Sequence, residues 1–138
     1  MGPQERLEQL KKLLNELIQE NSKTPIIVEG RKDENTLRRL GLKGLILRLN
    51  KGVSVFSMCE DISRKHKKVI LLTDWDRRGG HLAKLLREAL EANGVMYDDD
   101  IRGKIAVLTK KDIKDVESLA RHLSRLKRLA ETGVGGFK

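Results

Sequence analysis

Three short apolar runs, Ile26-Ile27-Val28, Leu45 to Leu49 and Val69 to Thr73, alternate with longer stretches whose apolar residues recur at helical spacing. A continuous apolar run this short predicts a strand buried on both faces, as in a parallel sheet. Parallel neighbours need crossovers between them, and the helical stretches at Asp33 to Leu40 and about Met58 to Lys65 supply them. The pattern directs the chain to an α/β fold: a three-layer α/β/α domain with a mostly parallel central sheet. Val69 to Thr73, bracketed by Lys67-Lys68 and Asp74-Trp75-Asp76, belongs in mid-sheet. Val53 to Phe56 fits either a strand or the run-in to the next helix.

Outside this alternation, Leu7, Leu10, Leu13, Leu14, Leu17 and Ile18 predict an amphipathic helix over residues 5 to 20. Residues 1–22 therefore read as an added N-terminal helix, 23–131 as the α/β domain and 132–138 as a Gly-rich flexible tail. Gly79-Gly80 opens a helix with Leu82, Leu85, Leu86, Ala89 and Leu90 on one face, stopped by Asn93-Gly94 as by a left-handed C-cap. Tyr97 to Asp100 reads as an acidic loop, Ile105 to Leu108 as a further strand and Val116 to Ala130 as a final helix. That helix carries Arg121, Arg125 and Arg128 on a second face.

With 138 residues the chain suits one domain with one core of moderate size. No apolar run approaches the roughly 20 residues that cross a bilayer, and the N-terminus is charged where a signal peptide is apolar. The single cysteine, Cys59, excludes an intrachain disulfide and fits a reducing compartment, so a cytoplasmic location is expected. Lys and Arg outnumber Asp and Glu by 29 to 20, a net charge of +9. Such a surplus favours polyanionic partners, nucleic acid first, although a solubilising surface has the same composition.

Two of the predicted strands end in acids. Glu29-Gly30 follows the first, and Asp74 and Asp76 follow Val69 to Thr73. In an open α/β sheet, sites form beyond the carboxyl ends of the strands. In extended backbone, residues two apart leave the same face, so Asp74 and Asp76 can share a cation that relieves their mutual repulsion. Oxygen ligands with no Cys or His beside them favour Mg²⁺ or Mn²⁺ over zinc. The same Asp-x-Asp-x-x-Gly spacing also serves as a strand-to-helix turn with one Asp capping the helix.

Taken together, Ile26-Ile27-Val28-Glu29-Gly30-Arg31-Lys32-Asp33 and Leu71-Leu72-Thr73-Asp74-Trp75-Asp76-Arg77-Arg78-Gly79 resemble the paired signatures of the Toprim family. The resemblance spans roughly residues 24 to 120 and is nearest to the 5S ribosomal RNA maturases and small stand-alone members. It implies that Asp74 and Asp76 bind Mg²⁺, with Glu29 as general acid or base or as a further ligand, in phosphoryl transfer. Arg31, Lys32, Lys51, Arg77 and Arg78 lie in the same or adjoining loops and can hold a phosphate backbone; Gly30 and Gly79 allow it a close approach. Topoisomerase and maturase members carry a further acid near Arg78 to Gly80 that this chain lacks. Asp115 and Glu117 can supply acids from a neighbouring strand end, or can cap the final helix.

The remaining residues add less. Trp75 can stack on a base but fits better as packing under a helix. His66, His81 and His122 show no ligand spacing, Cys59 reads as core, and the Arg121, Arg125, Arg128 row can grip phosphates or face solvent. A topoisomerase needs a tyrosine nucleophile on a separate domain, so strand passage by this chain alone is not expected. The absence of a Gly-x-x-x-x-Gly-Lys-Ser/Thr loop argues against an ATPase. The expected function is Mg²⁺-dependent phosphodiester chemistry on nucleic acid, as nuclease-type cleavage of structured RNA or DNA. The alternative is a binding module for nucleic acid or a ribonucleoprotein that keeps the scaffold without turnover.

Overall fold

A computed structural model describes residues 1–49 and 51–132. Its elements, in chain order, are α1 (Pro3–Asn21), β1 (Ile26–Val28), α2 (Arg31–Arg39), β2 (Ile46–Arg48), α3 (Val55–Lys65), β3 (Lys68–Leu71), α4 (Arg77–Ala92), β4 (Met96–Asp98), α5 (Asp100–Thr109) and α6 (Leu119–Glu131). The predicted tail falls almost entirely outside the described residues, as does Asn50.

The four strands form one parallel sheet in the order β2-β1-β3-β4. Ile26 pairs with Ile46 on one side and Ile70 on the other, so β1 and β3 are the two inner strands. Side chains along the strands alternate between two cores. Ile26, Val28, Ile46, Ile70 and Leu72 face a core shared with α1, α2, α5 and α6. Ile27, Val69 and Leu71 face a second core with Cys59 and Ile62 of α3 and Leu86, Ala89 and Leu90 of α4. This is the expected three-layer α/β/α architecture.

α1 is part of that packing. Leu10 and Leu17 have no exposed surface, each contributing roughly 1.5–3 kcal/mol of burial. At its end the buried Asn21 side chain donates to the carbonyls of Thr24 and Leu45 and accepts from Gly44 N–H, tying α1 to the start of β2. No helix among the described residues is long and apolar enough to cross a membrane.

Two expectations are corrected. Ile105 to Leu108 is helical, within α5, and the supposed loop at Tyr97 to Asp100 instead provides β4 and the start of α5. In α5 Ile101, Ile105 and Thr109 are buried at i, i+4 and i+8 while Val107 is 74% exposed. A strand would bury Ile105 and Val107 together. The Asp100–Lys104 pair at 3.1 Å supports the first turn. Smaller shifts occur elsewhere: Val53 to Phe56 resolves as a run-in, with Ser54 Oγ accepting from Ser57 N–H to cap α3, and α6 starts at Leu119 rather than Val116. Gly94, at φ +71°, ends α4 in the left-handed conformation predicted for it.

Candidate functional site

Strand order explains why distant acids meet. β1 connects to β2 through α2 on one face; β3 connects to β4 through α4 on the other. At the inner pair β1–β3 the following helices diverge, and a crevice opens at the carboxyl ends of the strands. Glu29 leaves β1 into this crevice and Asp74 follows β3 into it. Glu29 Oε2 accepts from the backbone N–H of Asp74 at 2.8 Å.

Asp74 is held from three directions. Its Oδ1 accepts from Val116 N–H at 2.9 Å, which draws in the segment between α5 and α6. Its carbonyl accepts from Arg102 Nη2 at 2.8 Å, while Arg102 Nε donates to Thr73 O at 2.9 Å. The neighbouring Trp75 donates both its backbone N–H to Lys114 O and its indole N–H to Ile113 O, each at 2.9 Å. Trp75 is thus a packing residue at the rim of the first core. A Cβ on Gly79 would lie 2.0 Å from Asp74 O, so the first turn of α4 approaches Asp74 closely only because residue 79 lacks a side chain. Gly30 is different: its φ of −159° is ordinary extended backbone and a Cβ there would meet nothing.

Burial pushes the Asp74 carboxyl up to about 7, and Glu29, Asp33 and Asp115 add to the rise against the Val116 hydrogen bond. Asp33 is also raised, first by burial and then by Glu29, Glu117 and Asp115, although its Oδ2 accepts from Gly30 N–H. Burial, together with Arg87, lowers the Arg102 guanidinium. Its donors are directed at the carbonyls of Thr73 and Asp74, while the charges of Asp99, Asp74 and Glu29 oppose that lowering. The cluster opens into a groove of about 650 Å³ lined by Glu29, Asp33, Asn35, Asp74 and Glu117, with Arg31, Lys32, Lys51 and Arg78 around it. Crowded carboxylates, two of them, Asp33 and Asp74, with a raised proton affinity, all offering oxygen, suit a hard divalent cation. Among the described residues no three acidic, His or Cys side chains are already grouped in ligating geometry.

Not every expected residue joins this groove. Asp76 is exposed and its Oδ1 accepts from Gly79 N–H at 2.7 Å, capping α4; among the described residues nothing bonds its second oxygen. Arg77, in the first turn of α4, is exposed and does not line the groove. Asp115 and Glu117 approach, but from the segment after α5: the strand end from which they were expected does not exist. Asp115 Oδ1 also accepts from Ser118 N–H. Arg125 pairs with Asp112 at 3.6 Å, Arg128 is exposed near the end of α6, and Arg121 lines a separate recess. His81 is exposed, whereas His122 is buried and burial lowers its pKa. Cys59 is fully buried, its thiol pushed up to about 11.

Sequence reasoning missed Asp33, Asn35 and Arg102. For Asp33 a signal existed: it stands three residues after Gly30, the spacing of a capping box. Arg102 carried none, because its segment was read as leading into a strand.

Residues 24–108 match the Toprim domain. The chain belongs to the Toprim family. With that membership comes a metal-binding, nucleic-acid-related function in general terms. The match ends before the segment carrying Asp115 and Glu117, short of the span to about residue 120 over which the motifs suggested resemblance. The chain is 41% identical over 123 residues to a UPF0292 protein of Methanosarcina barkeri, covering 88% of this chain and 85% of that one. A UPF0292 protein of Methanosarcina acetivorans is 42% identical over 130 residues, covering 94% and 88%. One from Methanocaldococcus jannaschii is 36% identical over 126 residues, covering 91% and 98%. Among solved structures, a protein from Aquifex aeolicus superposes with a TM-score of 0.66 at 27% identity, over 78% of this Toprim chain and 94% of its own.

Proposed function

We propose that this Toprim chain is a Mg²⁺- or Mn²⁺-dependent enzyme that cleaves phosphodiester bonds in structured RNA or DNA. The observation that carries the reading is the Glu29–Asp74 contact, 2.8 Å long, inside a groove whose acids are crowded and whose rim is basic. Asp74, with Asp33 beside it, would hold the cation, and Asp76, although it does not line the groove, has a free oxygen that would serve as a further donor. Bound there, a divalent cation would polarise a phosphate and lower the pKa of a coordinated water. Glu29 keeps one oxygen on Asp74 N–H and has the other for proton transfer. Arg31, Lys32, Lys51 and Arg78 would hold the phosphates flanking the reacting one, and Arg102 keeps Thr73 and Asp74 in place. The single, buried thiol fits a cytoplasmic setting.

A second reading, a binding module without turnover, draws support from the capping role of Asp76 and from the absence of an acid in Arg77-Arg78-Gly79-Gly80. Incubation of wild type and Glu29→Gln with structured RNAs and with single- and double-stranded DNA in Mn²⁺ separates the two. Cleavage lost in the variant supports the enzyme; retention of nucleic acid by both proteins without cleavage supports the module.

A further inference from the structure

Beside the acidic groove lies a second recess, of about 390 Å³, between the C-terminal part of α2 and the first turns of α6. Arg39, Ser118, Arg121 and Ser124 line it, and Glu117 forms a wall common to both cavities. That wall is anchored: Thr36 Oγ1 donates to Glu117 O at 3.2 Å, fastening it to α2. The groove holds as many cationic as acidic side chains, whereas the recess sets the guanidinium groups of Arg39 and Arg121 against the single carboxylate of Glu117.

Arg6, Arg38, Arg48, Arg64, Arg87 and Arg125 each have a carboxylate within ion-pair distance. Like Arg31, Arg77, Arg78, Arg102 and Arg128, Arg39 and Arg121 have no ion pair among the described residues; what sets these two apart is that they line one recess. Their contacts are long and neutral, Arg39 Nη2 to Thr36 Oγ1 and Arg121 Nη2 to Ser118 Oγ, both at 3.4 Å. Two exposed guanidinium forks without an ion pair, lining one recess with two hydroxyls, make a donor set for a phosphate.

We propose that this recess is a phosphate subsite, in which Arg39 and Arg121 hold a backbone phosphate of a nucleic-acid strand whose neighbouring phosphodiester occupies the acidic groove. The assignment rests on the nucleic-acid reading above. It adds a direction, since the strand runs from the Lys51 and Arg78 rim past Glu117 toward α6. A contact of this kind positions the strand without reading its sequence.

The test is fluorescence anisotropy with a short fluorescein-labelled single-stranded RNA, in EDTA so that cleavage plays no part, across a KCl series. R39Q/R121Q is compared with wild type and with K11Q/K12Q, which removes equal charge from exposed positions on α1. R39Q/R121Q should bind roughly tenfold more weakly and lower the slope of log K against log salt by about one, while K11Q/K12Q stays within about twofold of wild type. R39K/R121K keeps both charges and should keep the wild-type slope. Equal losses in the two glutamine pairs would overturn the subsite and leave the proposed function standing. So would a slope in R39K/R121K as low as in R39Q/R121Q, because the defect would then lie in the fold. Wild type that fails to bind the RNA would overturn the subsite, whereas loss of cleavage in Glu29→Gln bears on the enzyme reading alone.

Discussion

Asp74 concentrates the site's physics in one carboxyl. Its folded pKa, about 7, lies above the ordinary 3.8, so the protonated form is favoured by folding. The resulting stability is fully present below the unfolded pKa and is lost as pH rises through about 7. In metal-free protein, Asp74→Asn keeps an oxygen for Val116 N–H and removes the charge. It should therefore raise the thermal midpoint at about pH 8 by a few °C, with the advantage vanishing near pH 4. Mn²⁺ should stabilise wild type at pH 8 and the variant far less; differential scanning fluorimetry across pH checks both. The neighbouring glycines make a matched pair. Gly79→Ala drives a Cβ into Asp74 O and should cost more than about 2 kcal/mol, with weakened Mn²⁺ binding. Gly80→Ala meets nothing and should be neutral or stabilise α4 by up to about 1 kcal/mol in urea denaturation. Glu29 and Asp74 were legible because each follows a recognisable strand. The opposed fates of Asp74 and Asp76 were not, since both readings of Asp-x-Asp share one spacing.

At the scale of elements, the strands of the inner sheet were legible from continuous apolar runs, and α1 and α4 from leucines at helical spacing. The region from Met96 to Thr109 was misread because Ile105-Ala106-Val107-Leu108 is four apolar residues, a length at which strand and helix periods cannot be told apart. The helix there makes an unambiguous forecast. Ile105→Ala should cost about 2–5 kcal/mol, whereas Val107→Ala should change stability by less than about 0.5 kcal/mol in chemical denaturation. Comparable losses at both positions would indicate the alternation of a strand. The placement matters to the site, because only a helix following β4 brings Arg102 back to the carbonyls of Thr73 and Asp74. Arg102→Met should accordingly weaken Mn²⁺ binding, read by calorimetric titration, although it removes a positive charge from the neighbourhood of the acids.

Across the whole molecule, the +9 charge and the fold divide the work. Charge makes association with a polyanion favourable and salt-sensitive, and the sheet order sets where the strand's phosphates meet the acids. If the four cations around the groove each neutralise a phosphate of a single strand, log K for nucleic acid should fall with log salt at a slope of about −3. A flat response between low and moderate salt would remove nucleic acid from the proposal. The sequence by itself determined the layered α/β class, the acids at two strand ends and the Toprim kinship, because a strand's burial and the residue that follows it are written in adjacent positions. Tertiary structure alone decided that Asp33 and Asp115 crowd Asp74, that Glu117 lines the same groove, that Asp76 turns to its helix and that Arg39 and Arg121 share a recess. Those relations depend on which strands are neighbours and on which face each crossover packs, and local periodicity carries no record of either.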